Sequence, residues 1–290
     1  MSLTAKFNLI IVAAFLVGLV ATGAVTYKVL QDNARRHVVE SAGLMMSAAG
    51  GVRTYTVGEI RPLLADRMAH EFLPQSVPAY SATQAFKHLR ALHPEYVYKE
   101  ATLNPTNLRD RATDWEADII HRFRNFADSE EIIGERDTPT GRSLYLARPI
   151  RITDEGCLVC HSTPDRAPPT LVARYGDDNG FGWQMDEVVG AQVVSVPMAV
   201  PIADAQRTFL AFMATLTAIF LLLMVALNVT LRRVVITPVT RMAREAEQLS
   251  KGDFGETELD DSGGDEIATL ARSFNRLRRS MEKALNMLER

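Results

Sequence analysis

Two windows without a charged residue set the architecture of this chain. No Asp, Glu, Lys or Arg occurs between Lys6 and Lys28, nor between Arg207 and Arg232. Each window is about 20 residues or slightly more, enough for a helix at ~1.5 Å per residue to cross a hydrocarbon core of roughly 30 Å. The second, with Phe209-Leu210-Ala211-Phe212 and Ile219-Phe220-Leu221-Leu222-Leu223-Met224-Val225, lacks the polar pattern of a soluble core helix. The first has a signal peptide as its alternative, since small residues Ala21-Thr22-Gly23-Ala24 follow the apolar run. Its basic head is Lys6 alone and the run is long for a signal core, so an uncleaved helix is expected.

Flanking charge gives an orientation. Arg207 precedes the second window, whereas Arg232, Arg233, Arg241 and Arg244 follow it, which places its C-terminal side in the cytoplasm. Lys28, Arg35 and Arg36 after the first window point the other way, but the two helices must alternate and the second signal is stronger. The resulting expectation is a cytoplasmic start (1–6), a transmembrane helix (7–27), an extracytoplasmic domain (28–206), a second transmembrane helix (208–231) and a cytoplasmic tail (232–290). A net charge of −3 implies no basic face for nucleic acid.

Within the outer segment, Val38, Val39, Ala42, Met45, Met46 and Ala49 recur at helical spacing until Gly50-Gly51, read here as an interruption. Pro62, Pro74 and Pro78 mark the next stretch, followed by a helix around Ser81 to Leu92. Thr113 and Glu116 form a capping-box pair ahead of Trp115, Ile119, Phe123 and Phe126, an apolar helical stripe. The period then changes to two. Leu144, Leu146, Ile150 and Ile152 share one strand face with Arg148 between them, and a second strand covers Val188 to Met198. Helices followed by strands, without regular alternation, predict an α+β domain.

Between these strands stands Cys157-Leu158-Val159-Cys160-His161, the attachment signature of c-type haem. Two thiols three positions apart reach the two vinyl groups of one porphyrin, and the next residue supplies an imidazole as proximal ligand. The other ring nitrogen then needs an acceptor to hold it. The chain has two cysteines, so a four-ligand zinc site lacks its second pair. Redox use or a disulfide stays open, although Pro164, Pro168 and Pro169 do not suit a thioredoxin-like helix. One covalent haem c is the leading expectation. Arg148 and Arg151 could pair with the propionates, a solvated strand edge being the favoured reading of Arg151. For the sixth iron position Met45, Met46, His70, His88 and His93 are candidates; none stands out, and a vacant position suited to diatomic gases is equally open.

In the tail, Pro238 starts a helix carrying Met242, Ala246 and Leu249, which Gly252-Asp253-Phe254 ends. A connector with Ser262-Gly263-Gly264 leads to Asp265-Glu266, acidic residues suited to a helix start. Ile267, Leu270, Phe274, Leu277, Met281, Ala284 and Leu288 then alternate intervals of three and four, a coiled-coil seam. Two such helices per chain would form a parallel four-helix bundle in a homodimer.

Thr237-Pro238, Gly252-Asp253-Phe254, Asp265-Glu266-Ile267 and Phe274-Asn275-Arg276 resemble the HAMP linker of bacterial kinases and chemoreceptors. The outer segment resembles a bacterial family of c-type haem sensor domains. The residues carrying that likeness are Arg61-Pro62, Ser76-Val77-Pro78, Asn104-Pro105-x-Asn107, Trp115-Glu116, Arg148-Pro149-Ile150, Cys157 to His161, Gly180-Phe181-Gly182-Trp183 and Val188-Val189-Gly190-Ala191. The resemblance implies a PAS-like fold around haem, and hence a membrane protein: two transmembrane helices flanking a PAS-like α+β haem domain, then a HAMP coiled coil. Some relatives are thought to use a cysteine as second axial ligand, which this chain has none to spare for.

The function these expectations describe is a receptor in the bacterial inner membrane, with haem in the periplasm. It would sense redox state or a small gaseous ligand and signal through HAMP to a separate cytoplasmic kinase, cyclase or chemotaxis-type protein. The alternatives are a membrane-anchored cytochrome for electron transfer and a small-molecule sensor with structural haem. No acid-base pair, triad or phosphate loop is evident, and no catalysis is expected.

Overall fold

The computed structural model describes residues 3–126, 128–139, 141–253 and 258–288. In chain order it holds α1 (Leu3–Tyr55), a π-helical turn (Thr56–Ile60), α2 (Arg61–Leu63), α3 (Ala65–Met68), α4 (Pro78–Leu92), β1 (Val97–Thr102), α5 (Asp114–Asn125), β2 (Ile132–Thr138), β3 (Gly141–Arg151), α6 (Glu155–His161), α7 (Pro169–Tyr175) and β4 (Val188–Pro197). Then come α8 (Ala199–Leu231), a second π-helical turn (Arg232–Ile236), α9 (Thr237–Ser250) and α10 (Glu266–Leu288). The chain divides into two compact units, 24–209 and the pair of segments 1–23 with 210–290.

The unit of residues 24–209 is built on an antiparallel sheet of order β1-β4-β3-β2. Alternation along the strands sorts its two faces. On one, Tyr98, Leu144, Leu146, Val194 and Val196 pack with Val38, Ala42, Met46 and Ala49 of α1 and with Ala82 and Phe86 of α4. On the other, Ile132, Ala147, Ala191 and Val193 pack with Ile119, Ile120 and Phe123 of α5. The predicted capping box is present: the Thr113 N–H donates to the Glu116 carboxylate at 2.8 Å, and Lys99 of β1 reaches the same group at 2.7 Å.

Three local expectations change. Gly50-Gly51 does not interrupt its helix, because α1 continues to Tyr55. Each glycine costs about 1 kcal/mol in a helix interior, less than the burial of the stripe Val38, Ala42, Met46 and Ala49, each at most 2% exposed. The sheet has β1 and β2 beyond the two strands foreseen. Ile152 lies just past β3, which ends at Arg151 after an irregular register at Ile150.

In the other unit, parts of α1 and α8 are, among the described residues, the two helices long and apolar enough to cross a membrane, and Phe15 stacks on Phe220 with ring centroids 3.5 Å apart. α9 ends where Gly252 adopts φ +84°, the left-handed conformation that closes a helix without a Cβ clash; Phe254 lies outside the described residues. Asp265 caps α10 by accepting from the Ala268 N–H at 2.8 Å. Met242, Leu259 and Ala271 form the packed centre, with Ile267 and Phe274 against it. Asn275, 1% exposed, pins the connector by accepting from the Leu259 N–H at 3.1 Å and donating to the Leu259 carbonyl at 2.9 Å.

Candidate cofactor site

Local chemistry builds α6 for one purpose: Asp154 caps it by accepting from the Gly156 N–H at 2.8 Å, and Cys157, Cys160 and His161 fall at i, i+3 and i+4. That spacing puts both thiols and the imidazole on one helical face. All three line a cavity of about 310 Å³. Neither thiol is in a disulfide. Burial first, then the Asp154 carboxylate, pushes the Cys157 thiol above its ordinary range; burial does the same for Cys160, opposed by the charge of Arg61. Both sulfurs are therefore held as neutral thiols.

His161 is the most constrained group in the cavity. Its Nδ1 lies 2.7 Å from the Gly180 carbonyl, which can only accept, so Nδ1 carries the proton and Nε2 keeps a lone pair. Burial pushes the imidazole below its ordinary value, against the raising effect of that hydrogen bond, and keeps it neutral. Trp183 stacks on the ring at 3.8 Å and 12°. The segment from Gly180 to Trp183 is zipped onto the end of α6, with the Gly182 N–H on the Ser162 carbonyl at 2.8 Å and the Trp183 N–H on the His161 carbonyl at 3.1 Å.

Gly180 is required at that place. Its φ is +86°, and an added Cβ would overlap Thr106 Oγ1 and come within 2.7 Å of Thr106 Cα. Gly180→Ala should therefore lower stability by roughly 2–4 kcal/mol, the sum of left-handed strain and overpacking. Urea unfolding of the α+β domain measures it, and a loss under about 0.5 kcal/mol would mean that the loop accommodates the methyl group.

The resemblance motifs converge here. Arg61, Ser76-Val77-Pro78, Pro105-Thr106-Asn107, Ile150 and Trp183 all line the cavity together with the Cys-His run. Trp115-Glu116 instead belongs to the cap and far face of α5, with Trp115 packed beside Tyr145. Other predicted residues are not brought together with it. Arg148 does not line the cavity; its Nε donates to Glu131 at 2.9 Å, because its position on β3 faces the polar end of β2. Met46 is 2% exposed inside the α1–sheet core and Met45 packs against the same cluster. His70, His88 and His93 are exposed and none lines the cavity; His70 Nδ1 sits 3.2 Å from the Asp66 carbonyl and His93 meets Tyr96 edge-on.

The cations that do face the cavity are Arg53, Arg61, Arg109 and Arg151. Arg151, read from sequence as a solvated strand edge, lines the wall and donates to the Asp186 carbonyl at 2.9 Å. Arg109 is held by Asp110 through two bonds of 2.9 and 3.0 Å. Arg53 of α1 pairs with Glu100 of β1, whose other oxygen accepts from the Tyr98 hydroxyl at 2.7 Å. Burial, then the charge of Glu100, pushes the Tyr98 hydroxyl far above its ordinary value. Glu100 gave no sequence signal, because the strand that buries it has a polar inward face of Tyr98, Glu100 and Thr102.

The residues fit a c-type haem. Two neutral thiols and a neutral imidazole share one helical face, the imidazole's second nitrogen is fixed, and the cavity wall combines apolar side chains with arginines. Fold and site together define an α+β domain with a thiol- and imidazole-lined cavity, joined to two potential membrane helices and an amphipathic helical pair. The Tll0287-like family model matches residues 31–197, more than half of the chain, and this chain belongs to that family. A HAMP domain matches residues 230–283. The sensor histidine kinase WalK of Bacillus subtilis (strain 168) is 35% identical over 103 residues, 36% of this chain. The chain matches only 16% of that kinase's length. Among solved structures, the cyanobacterial heme-protein Tll0287 superposes with a TM-score of 0.43 at 15% identity, covering 55% of this chain and 94% of that one.

Proposed function

We propose that the chain is a membrane-bound signal transducer that carries one haem c, attached through Cys157 and Cys160 and ligated by His161, and relays its state through HAMP to a cytoplasmic output domain. The observation carrying this reading is the His161 geometry: Nδ1 held by the Gly180 carbonyl at 2.7 Å leaves Nε2 for the iron, beside two free thiols on the same helical face. Haem bound there supplies reversible one-electron chemistry and an iron site for small ligands. The chain's own residues do the rest. Cys157 and Cys160 would each add S–H across a vinyl double bond, and Trp183 holds the imidazole plane by stacking on it.

The link to the apolar segment is one continuous helix. Arg53 lies on α1, the helix that begins at Leu3 and ends at Tyr55, and its partner Glu100 is on the cavity wall. A change of charge in the cavity acts directly on that ion pair. On the other side, β4 leads through Met198 into α8. We place the α+β domain in the periplasm and HAMP in the cytoplasm of a bacterial inner membrane, because four arginines follow α8's apolar stretch within 13 residues of Leu231. The PAS-like character of the domain rests on its antiparallel sheet with first and last strands adjacent.

The proposed dimer is supported by what one chain leaves uncovered. Leu270, Leu277 and Met281 are 51%, 53% and 42% exposed along one seam of α10, which a second copy would cover as a parallel bundle. The bundle's alternative packings provide the bistable element that signalling needs. Cysteine introduced at Leu277 should cross-link between copies in isolated membranes, and the yield should change at least twofold between oxidised and reduced protein. Efficient cross-linking that is indifferent to redox state and to carbon monoxide would contradict transmission through HAMP.

A further inference from the structure

We propose that the Met68 thioether is the second axial ligand of the iron, opposite His161; this rests on the haem reading above and completes its coordination. A distal ligand must face the cavity, come from an element other than α6, and be a type that binds haem iron. Methionine and tyrosine meet the last condition along with histidine and cysteine. Met68, Tyr80 and Tyr175 are the lining residues of those types beyond the Cys-His run. A tyrosine ligates as phenolate and must first lose a proton with an ordinary pKa near 10. Tyr80 also lies under the Arg109 guanidinium, and Tyr175 is engaged edge-on by Phe72 with ring centroids 5.8 Å apart. The Met68 thioether needs no deprotonation.

Its backbone setting supports the role. Met68 ends α3, its N–H bonded to the Leu64 carbonyl at 3.0 Å, and the helical turn continues through the Glu71 N–H on the Arg67 carbonyl at 2.9 Å. Arg61, Met68 and Phe72 therefore recur at helical spacing, and all three line the cavity. Phe72, 8% exposed, anchors this face against Ala167 and Leu171, in the same cluster as Cys160. Met68 is half-buried in the lining, on an unbranched side chain that adjusts readily.

The consequence is a redox-dependent tether. A soft thioether binds the reduced metal better than the oxidised one, so Met68 holds the ferrous iron more firmly. The α2–α3 segment that carries it follows α1 after only the π-helical turn Thr56–Ile60. Ligand exchange at Met68 would thus pull on the chain leading to the membrane.

The test uses the full chain produced in cells that attach haem c, with wild type, Met68→Leu and Met68→His compared. Wild type should be six-coordinate and low-spin when reduced. Met68→Leu, nearly isosteric, should keep covalent haem but become five-coordinate when reduced, bind carbon monoxide at least tenfold faster and show a lower midpoint potential. Met68→His should restore a six-coordinate spectrum. Haem-loaded Met68→Leu with the spectrum and carbon monoxide rate of wild type would overturn Met68 as ligand while leaving the haem reading intact. Protein that folds without covalent haem in all three forms would overturn both.

Discussion

Replacing Arg53 by alanine should destabilise the α+β domain by about 3–5 kcal/mol, the usual result of leaving one member of a buried ion pair behind. The Glu100 side chain is 5% exposed and that of Arg53 27%. The guanidinium's charge therefore goes unreplaced at a carboxylate that is nearly closed off from bulk solvent. The Tyr98 hydroxyl at 2.7 Å stays as a single neutral donor to a full charge. The Arg53 stem also packs where α1 meets the cavity, so some apolar contact goes with the charge. For a domain of this size the loss corresponds to a fall in melting temperature on the order of 10 °C. Arg53→Ala with Glu100→Gln should recover much of it, since the stranded charge is then gone. Additive losses in that double variant would show that packing rather than the ion pair holds α1 to β1.

His161→Ala should have an all-or-none effect of a different kind. Attachment depends on the two thiols, which stand three residues apart on α6, slightly less than one turn. Haem should remain on the chain, while the proximal imidazole is lost from the iron. Optical spectra of the oxidised and reduced variant should both differ from wild type, and added imidazole should restore the native form in the space the ring vacated. An unaltered spectrum at full haem loading would mean that another residue is the proximal ligand. Stability should fall as well, since Trp183 loses the ring that it stacks on at 3.8 Å.

Legibility in the sequence followed the physics of each feature. Long charge-free windows, the capping box at Thr113–Glu116 and the Cys157 to His161 run depend on local spacing, and local spacing is what a sequence displays. β1 escaped notice because its core-facing positions are Tyr98, Glu100 and Thr102, a buried face made polar by an ion pair whose partner is 47 residues away. β2 escaped because it is an edge strand, with Ile132 its buried residue. The same long-range logic misassigned the cavity. Nothing local distinguishes Arg148 from Arg53, or Met46 from Met68; only the sheet register and the path after α1 decide which of each pair faces the cysteines. In the tail, the seam from Ile267 to Met281 was visible, but the stripe Ala268, Ala271 and Asn275 that faces the connector and α9 was not. Small and polar residues carry little periodic signal even when fully buried.

The central claim is that Cys157 and Cys160 hold haem covalently, and the most direct measurement is the mass of the denatured full chain from cells competent in c-type attachment. Wild type should carry the added mass of one haem that survives acid-acetone extraction, and Cys157→Ser with Cys160→Ser should carry none. A folded wild-type chain found at its unmodified mass, or haem retained equally by the double variant, would contradict the account.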